Sequence, residues 1–438
     1  MPTILAHLLQ AIAMHPHSSR RVNRRSVLKT MVAAASAPLF VSPRVFGKNA
    51  PSNTITLGHI GVGIHGVQRN LNGFLNQSDC RPVVVCDVMK SRAIEASRLV
   101  NEHFDDTCCD VSYDFREVLS RDDVDAVVIS TPDHWHVPMS LMALDAGKHT
   151  FCEKPTLTIR EGQELVAAVK RSGKVFGTGL EDRSVTEYFR IAELVRNGVI
   201  GTLQHIEVGL PVKPVFPIEQ PAPVPDDLDF NLWIGPAPMR AYTPKLTTAQ
   251  CWRQIRDFSG GSLTDWGSHL IDTAQVANFS ENTTPISVTG KGQIPENAIN
   301  SVPHTFDLDY TYANGVTMHV KSDVPSIRLE GSDGWIGNRG WCGELTASDP
   351  KFLEASFDPT HNRIWPQPRI EHRDFLDALK SGDSTMYDAE SLHRLSTVMH
   401  MGSIAMELNR PLNWDPQAES FDDADANALR SRPRRDWT

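Results

Sequence analysis

Acidic side chains are missing from the front of this chain, where no Asp or Glu precedes Asp79. The chain also lacks an apolar run of the roughly 20 residues that a membrane-spanning helix needs, so no membrane span is expected. Its seven cysteines are odd in number and include no C-x-x-C pattern, which argues against a disulfide framework and a zinc ribbon. A basic excess is absent too: the net charge is -10, which argues against a nucleic-acid partner.

What is present describes an ordinary globular protein. The 438 residues are 40% hydrophobic and 22% charged. A chain of this length is expected to form two or three domains with real hydrophobic cores.

The acid-free front carries the pattern of an export signal. Arg24 and Arg25 form a twin-arginine pair, and an apolar run from Met31 to Val41 follows with the small-residue site Ala35-Ser36-Ala37. This order predicts a signal for the twin-arginine (Tat) export machinery and a periplasmic protein. An uncleaved amphipathic tail is the alternative. Tat cargo is exported folded, commonly because a cofactor is inserted in the cytoplasm.

After a linker near residues 50–53, two kinds of pattern follow one another, so we divide the chain into residues 1–50, 51–180 and 181–438. In the middle part, strand-like runs alternate with helical ones, which predicts an α/β domain with a parallel sheet. The strands are expected at Ile55–Ile60, Val83–Cys86, Ala126–Ser130, His149–Cys152 and Val175–Thr178, and the helices at Val67–Leu75, Ser91–His103, Val137–Ala146 and Ile159–Ser172.

Beyond Leu180 the pattern changes to longer alternating runs, which predict an α+β domain with one large open, mostly antiparallel sheet. The strands are expected at Leu203–Leu210, Ile286–Lys291, Thr305–Tyr312 and Val316–Lys321, with helices at Tyr188–Asn197, Arg369–Lys380 and Ala389–Leu408. Asn314-Gly315 predicts a tight hairpin.

A glycine-rich turn predicts a dinucleotide site. Gly61-Val62-Gly63-Ile64-His65-Gly66 follows the first strand and opens the first helix, so its glycines, Ile64 and His65 are expected to bind the cofactor. Asp87 ends the second strand, where a carboxylate can accept the hydroxyls of a ribose. It favours NAD, although Lys90 and Arg92 could pair with the 2'-phosphate of NADP.

Two polar motifs end later strands of the parallel sheet, at the edge where ligands bind. Thr131-Pro132-Asp133-His134-Trp135-His136 supplies Thr131, Pro132, His134 and His136 as cofactor contacts, and Glu153-Lys154-Pro155 adds Glu153 and Lys154. The histidines could instead cap a helix, and a solitary lysine is usually solvated surface.

A third cluster lies in the predicted second domain. Asp265, His269 and Asp272 are spaced by four and three residues, so on a helix they share one face. An Asp beside a His can fix its tautomer and raise its basicity, which makes His269 a candidate general base. The cluster could instead cap a core helix, or bind a metal with His134 and His136, but without a fourth closely spaced ligand we predict none.

The order and spacing of these motifs resemble the glucose-fructose oxidoreductase / inositol dehydrogenase (Gfo/Idh/MocA) family. Trp233-Ile234-Gly235-Pro236-Ala237-Pro238 and the closing Ser431-Arg432-Pro433-Arg434 resemble its bacterial C-terminal domain. The resemblance implies an N-terminal Rossmann domain that binds NAD(P) and a C-terminal domain with a large open sheet. It also implies an NAD(P)-dependent dehydrogenase, a sugar or cyclitol substrate and a homo-oligomer, either a dimer or a tetramer.

The same resemblance implies roles for individual residues. Lys154 matches the lysine that binds the substrate hydroxyl, His269 the histidine that takes its proton, and Asp265 the aspartate that assists. Arg183 matches an arginine near the substrate, and Trp266 and Asp272 belong to the same predicted substrate site.

Two other functions remain open at this point. Relatives of the family hydrolyse glycosidic bonds by transient oxidation, elimination and re-reduction, but their distinct histidine motif is not found here. A non-catalytic sugar-binding protein would require the intact catalytic residues to be relics.

Overall fold

A computed structural model describes residues 54–437. The export signal predicted within residues 1–50 therefore lies outside the described residues. Within them, no helix is both long and apolar enough to cross a membrane.

The first half forms a six-stranded sheet in which every paired strand runs parallel, in the order β3-β2-β1-β4-β5-β6. Its strands are β1 (Ile55–Ile60), β2 (Cys80–Cys86), β3 (Asp110–Ser112), β4 (Ala126–Ile129), β5 (His149–Glu153) and β6 (Phe176–Gly179). The apolar, β-branched strand β4 is buried along its whole length, as a central strand covered on both faces must be. The predicted Rossmann-type α/β fold is confirmed.

Helices connect these strands. A wide helical turn, Gly66–Leu71, runs into α1 (Asn72–Leu75), and it is followed by α2 (Lys90–Phe104), α3 (Phe115–Leu119), α4 (Asp133–Asp145) and α5 (Ile159–Ser172). Thr158 caps α5 by accepting a hydrogen bond from the Glu161 amide, and Gly173 ends that helix in the left-handed conformation.

The second half is built on a nine-stranded sheet, in the order β13-β12-β11-β7-β10-β9-β8-β14-β15. Its strands are β7 (Leu203–Leu210), β8 (Ser287–Gln293), β9 (Thr305–Thr311), β10 (Thr317–Ser322), β11 (Ser326–Gly331), β12 (Gly334–Arg339), β13 (Leu345–Ala347), β14 (Leu412–Asp415) and β15 (Ser420–Phe421). Only the β7–β10 pair is parallel among the described pairs of this sheet, so the prediction of a mostly antiparallel sheet is confirmed. Gly315, with a φ of +87°, forms the predicted hairpin turn.

Further helices follow the sixth strand. They are α6 (Thr186–Arg196), α7 (Phe230–Ile234), α8 (Ala249–Trp252), α9 (Ser262–Asp265), α10 (Gly267–Ala277), α11 (Lys351–Glu354), α12 (Glu371–Ser381), α13 (Ala389–Leu408) and α14 (Ala424–Ala428). Helix α12 returns to the parallel sheet, where Phe375 is buried among Leu57, Phe74 and Phe151.

Two differences from the sequence expectations lie in the second half of the chain. Strands β11 to β13 were not predicted, since their short runs carry few β-branched residues. The segment of Asp265 and His269 is not one helix, because it breaks at Trp266 between α9 and α10. As a result Asp265 ends one helix, while His269 and Asp272 lie on the next.

Candidate active site

The glycine loop after β1 is shaped by two positions at which a side chain would not fit. Gly61 has a φ of +85°. A Cβ on Gly66 would lie 2.1 Å from the Gly61 carbonyl oxygen. At Gly63 the nearest atom to such a Cβ is 3.4 Å away, on the guanidinium of Arg92. The turn is therefore tight on its inner side and accessible at Gly63, which fits a bound pyrophosphate.

Asp87 fastens this loop to the end of β2. Its Oδ2 accepts a hydrogen bond from the Val62 amide at 3.0 Å, and its Oδ1 accepts one from the Met89 amide at 2.8 Å. Burial raises the pKa of Asp87, and the two amides and Arg92 oppose that shift. At the end of β4, Thr131 has a buried hydroxyl without a hydrogen-bond partner among the described residues. Loop, carboxylate and hydroxyl together fit a nicotinamide dinucleotide.

Glu153 links the end of β5 to the glycine loop. Its Oε1 accepts a hydrogen bond from Asn70 at 2.8 Å and lies 3.0 Å from His65 Nε2. The Glu153 charge raises the pKa of His65. Burial would raise the pKa of Glu153, but the charge and hydrogen bond of His65 hold it below its usual range. An imidazole that keeps its proton more readily than a free one therefore lies in the glycine loop, where the sequence predicts that His65 contacts the cofactor.

His134 and His136 are placed differently from the prediction that they contact the cofactor. Both side chains are buried on α4, where His134 Nε2 lies 3.0 Å from the Trp233 carbonyl oxygen. His136 lies 2.9 Å from the Pro155 and Thr131 carbonyl oxygens. The imidazole of His136 therefore links the segments that follow β4 and β5, and that of His134 links α4 to α7.

Lys154 is almost buried and is ion-paired. Its Nζ donates hydrogen bonds to the Asp265 carbonyl oxygen at 3.0 Å and to Oδ1 at 3.2 Å. Asp265 Oδ2 also accepts a hydrogen bond from Lys213 at 2.8 Å, and Arg253 lies 3.6 Å from Oδ1. Burial disfavours the charged form of both groups. The charge of Asp265 nevertheless raises the pKa of Lys154. The charges of Lys154, Arg253 and Lys213, that of Lys154 most strongly, hold the pKa of Asp265 well below its usual range.

The carboxylate partner of His269 is Asp182, and this corrects the prediction that Asp265 assists the histidine. His269 Nδ1 lies 2.9 Å from Asp182 Oδ2, and the Asp182 side chain has no exposed surface. Burial and the charge of Lys154 lower the pKa of His269 to about 4, so its basicity is not raised as predicted. Burial, with Asp272 nearby, raises the pKa of Asp182 well above its usual range. His269 is therefore a neutral, oriented imidazole that can accept a proton.

Arg183 and Asp272 are supports and do not reach the predicted substrate site. The Arg183 guanidinium donates to both carboxylate oxygens of Asp272, at 3.1 and 2.9 Å, and Tyr387 donates its hydroxyl proton to Oδ2 at 2.6 Å. The side chains of the ion pair are only 9% and 3% exposed. The Arg183 guanidinium and the Asp272 carboxylate are thus bound to each other and to Tyr387 in a buried network.

A pocket of about 190 Å³ lies between the glycine loop and the candidate catalytic residues Lys154 and His269. It includes predicted residues and residues that sequence reasoning missed. Its walls are formed by His65, Arg69, Glu153, Lys154, Gly179, Glu181, Trp266, His269 and Trp341. The structure therefore brings together Lys154, His269 and the predicted Trp266.

The site residues without a predicted role differ in whether the sequence carries a signal that could have identified them. The family resemblance already places Glu181 and Asp182 in the substrate wall without a role, and their position directly after β6 agrees with the rule that ligands meet the carboxyl ends of parallel strands. Lys213 lies in a proline-rich loop and Trp341 in a turn after β12, and nothing in their local sequence indicates an active site.

Glu181, Asp182 and His269 could also hold a metal ion, since each offers a ligand atom and these atoms lie within 4.8 Å of one another. Asp307, Asp309 and His319 form a second such group on the exposed face of the nine-stranded sheet. In both groups a histidine nitrogen already pairs with a carboxylate oxygen, at 2.9 and 2.8 Å.

Sequence profiles match most of the described chain. Residues 55–180 match the NAD-binding Rossmann fold of the Gfo/Idh/MocA oxidoreductase family, and residues 217–438 match its C-terminal alpha/beta domain. Among curated proteins, a glycosyl hydrolase family 109 protein of Shewanella sp. (strain MR-4) is 35% identical over 176 residues, or 38% of this chain. One of Shewanella baltica (strain OS195) is 33% identical over 168 residues. The alignments span only 37% and 36% of the lengths of these relatives.

Solved structures share the fold over most of the chain. A levoglucosan dehydrogenase in complex with NADH and levoglucosan superposes with a TM-score of 0.61 at 19% identity, covering 82% of this chain and 99% of that one. An aldose-aldose oxidoreductase from Caulobacter crescentus gives 0.59 at 18% identity with the same coverage. At such identities the likeness shows the fold alone.

Proposed function

This chain belongs to the Gfo/Idh/MocA oxidoreductase family, and we propose that it is an NAD-dependent dehydrogenase of a secondary alcohol on a sugar or cyclitol. One observation carries the proposal. Lys154 and His269 lie in one pocket with Glu153, which is hydrogen-bonded to the glycine loop. The dehydrogenases among the structural neighbours support the choice of substrate class.

The residues of the pocket divide the chemistry between them. Neutral His269, oriented through Nδ1 by Asp182, accepts the proton of the substrate hydroxyl. The Lys154 ammonium, kept charged by Asp265, stabilises the negative charge that develops on that oxygen. When bound, the nicotinamide supplies the acceptor of the hydride that leaves the carbon.

Substitution of the two central residues tests this proposal. Lys154→Ala and His269→Ala should each lose orders of magnitude in kcat and retain the cofactor, because both act on the substrate oxygen. Reduction of NAD at its absorbance band, with a panel of sugars and cyclitols, is the measurement. Lys170→Ala, which removes an exposed lysine, is the control. Unchanged sugar-dependent reduction in either active-site variant would overturn the assignment.

The cofactor proposed is NAD in preference to NADP. Asp87 would repel a 2'-phosphate, whereas Arg92 near Gly63 offers a cation to one. Mass spectrometry of the cofactor that co-purifies with the protein distinguishes the two. NADP as the sole bound nucleotide would contradict the preference.

Glycoside hydrolysis is the second candidate, favoured by the identity with glycosyl hydrolase family 109 proteins. An enzyme of this kind would oxidise and re-reduce its substrate within one cycle. It would therefore release a free sugar from a glycoside while no NADH accumulates. Net NADH formation with an unsubstituted sugar identifies the dehydrogenase instead.

We further propose that the protein is exported to the periplasm by the Tat machinery, on the strength of Arg24-Arg25 and the apolar run that follows. Because free NAD is scarce outside the cytoplasm, the enzyme should hold its cofactor tightly and regenerate it with a second substrate. Replacing both arginines by lysine should leave the protein in the cytoplasmic fraction. Rapid loss of cofactor on dialysis would contradict tight binding.

A homo-oligomer, a dimer or a tetramer, is proposed through the solvent-facing side of the nine-stranded sheet. Asp307, Asp309 and Arg328 are among the side chains on that side. Light scattering coupled to size-exclusion chromatography should give a dimer or tetramer mass. A monomer at micromolar concentration would contradict this assembly.

A further inference from the structure

Two indole rings form part of the pocket wall, and the proposed chemistry does not use them. The ring centroids of Trp266 and Trp341 are 5.5 Å apart and their planes meet at 87°. Trp341 also lies 4.7 Å from the imidazole of His269. An apolar corner therefore adjoins the group that accepts the proton.

The turn that carries Trp341 has an unusual backbone. Gly340 has a φ of +87° and Cys342 a φ of +51°, the latter in a region that side chains rarely adopt. The turn is closed by a hydrogen bond of 3.0 Å from the Cys342 amide to the Tyr188 hydroxyl and by one from Gly343 to the Gly340 carbonyl oxygen. Local strain of this kind is often kept where it places a functional side chain.

A buried aromatic ring supports Trp341 from the core. Tyr188 is 1% exposed, and its ring centroid lies 5.2 Å from that of Trp341. Trp341 itself is only partly buried and lines the pocket. The indole is thus held in place and still available to a ligand, although it comes from the turn between β12 and β13 near one edge of the large sheet.

The other walls have the opposite chemistry. Arg69, Glu153, Lys154 and Glu181 present charged groups that can form hydrogen bonds with several hydroxyls. A six-membered polyhydroxy ring combines both requirements, because its hydroxyls project from the rim while its C–H bonds form an apolar face. Such a face packs well on an indole.

We propose that Trp341 determines substrate specificity by stacking on the C–H face of a pyranose or cyclitol ring, with the perpendicular Trp266 against the edge of that ring, so that a ring hydroxyl meets Lys154 and His269. This inference rests on the proposed function. It adds that acyclic polyols, which carry the same hydroxyls without a fixed apolar face, are poor substrates.

The test compares Trp341→Ala and Trp341→Phe with the wild-type holoenzyme. NADH formation is measured with ring sugars and cyclitols and, separately, with acyclic hexitols. Binding to the NAD-loaded protein is followed by saturation-transfer NMR, which reports the ring protons that touch the protein. Trp335→Ala is the matched control, since Trp335 lies on β12 and packs 4.1 Å beneath the guanidinium of Arg328.

Loss of the indole should raise KM for ring substrates about tenfold and change kcat little. Phe should restore most of the affinity, and hexitols and NAD retention should be unaffected. A merely structural role would impair NAD retention and all substrates alike. An unchanged preference for rings over hexitols in Trp341→Ala overturns the inference.

The failures of the two proposals can be told apart. If Trp341→Ala oxidises ring substrates as well as the wild type does, the inference about Trp341 is wrong and the proposed dehydrogenase activity stands. If the protein binds a ring substrate in a Trp341-dependent manner but forms no NADH, the proposed dehydrogenase activity is wrong and the recognition role of Trp341 stands. A wild-type protein that binds no ring polyol overturns the inference.

Discussion

At the scale of single residues, the histidine of the pocket takes its orientation from a carboxylate 87 positions earlier in the chain. Asp182 follows β6 and is fully buried, while His269 lies in the first turn of α10. The nearer Asp265 is engaged by Lys154 and Lys213. Spacing along a helix therefore indicated the wrong partner, because the Asp265 carboxylate is bound by the two lysines and the carboxylate of Asp182 contacts the histidine instead.

Asp182→Asn should lower kcat about a hundredfold or more, because the amide can donate to Nδ1 and favour the imidazole tautomer that cannot accept a proton. Cofactor binding should remain, which separates this effect from unfolding. The measurement is kcat for NADH formation, with the exposed Asp309→Asn as control. Full activity of Asp182→Asn would contradict the pairing.

Asp265→Asn should move the alkaline limb of the kcat/KM profile to lower pH. Burial lowers the pKa of Lys154 and Asp265 raises it, so without this carboxylate the ammonium loses its proton more readily. Lys154 must be charged to stabilise the substrate oxygen, so activity is lost as pH rises through its pKa. An alkaline limb at the wild-type pH would show that Asp265 does not control Lys154; the exposed Asp122→Asn is the control.

At the scale of elements, a late helix completes the core of the first sheet. Helix α12 places Phe375 and Leu376 against Leu57 and Phe151, and Arg373 pairs with Asp79 at 2.7 Å. About 290 positions separate Arg373 from Asp79. The amphipathic pattern predicted the helix, whereas only the tertiary structure shows which sheet it covers.

Phe375→Ala should reduce the free energy of unfolding by about 3 kcal/mol, since it leaves a cavity among fully buried side chains. Urea unfolding followed by fluorescence measures the effect. The half-exposed Ile370→Ala, just before the same helix, should change stability by only a few tenths of a kcal/mol. Equal effects of the two substitutions would contradict the packing described.

At the scale of the whole molecule, the last residues lie across the nucleotide-binding half. The Arg432 guanidinium contacts Glu161 Oε1 at 3.1 Å and donates to the His134 carbonyl oxygen at 3.0 Å. Trp437 packs 4.7 Å from Trp135. The chain end therefore helps to hold the α4–α5 surface together.

Arg432→Ala should destabilise the protein by about 2 kcal/mol, because Glu161 is 2% exposed and would keep only Arg434, at 3.2 Å, as a cationic partner. The double variant Arg432→Ala/Glu161→Gln should recover part of that loss, which a double-mutant cycle of unfolding free energies would reveal. Arg410→Ala, at an exposed ion pair, should cost well under half as much. If the changes in unfolding free energy of the two single variants add up to that of the double variant, Arg432 and Glu161 are not energetically coupled.

The sequence by itself determined the fold class, the glycine loop, Asp87 and the candidates Lys154 and His269. Each of these depends on local chemistry: a tight turn that only glycine allows, a strand end, or a motif in a fixed order. Local chemistry did not show that the rings of His134 and His136 contact the Trp233 and Pro155 carbonyl oxygens, because only folding brings those carbonyls beside α4.

Only the tertiary structure shows which side chains contact one another. It joined His269 to Asp182, confined Arg183 and Asp272 to a buried ion pair, and brought Trp341 from the edge of the large sheet to the pocket. These contacts connect distant parts of the chain, and burial sets the pKa of each group. Neither sequence separation nor residue type carries that information, because long-range packing fixes both distance and solvent access.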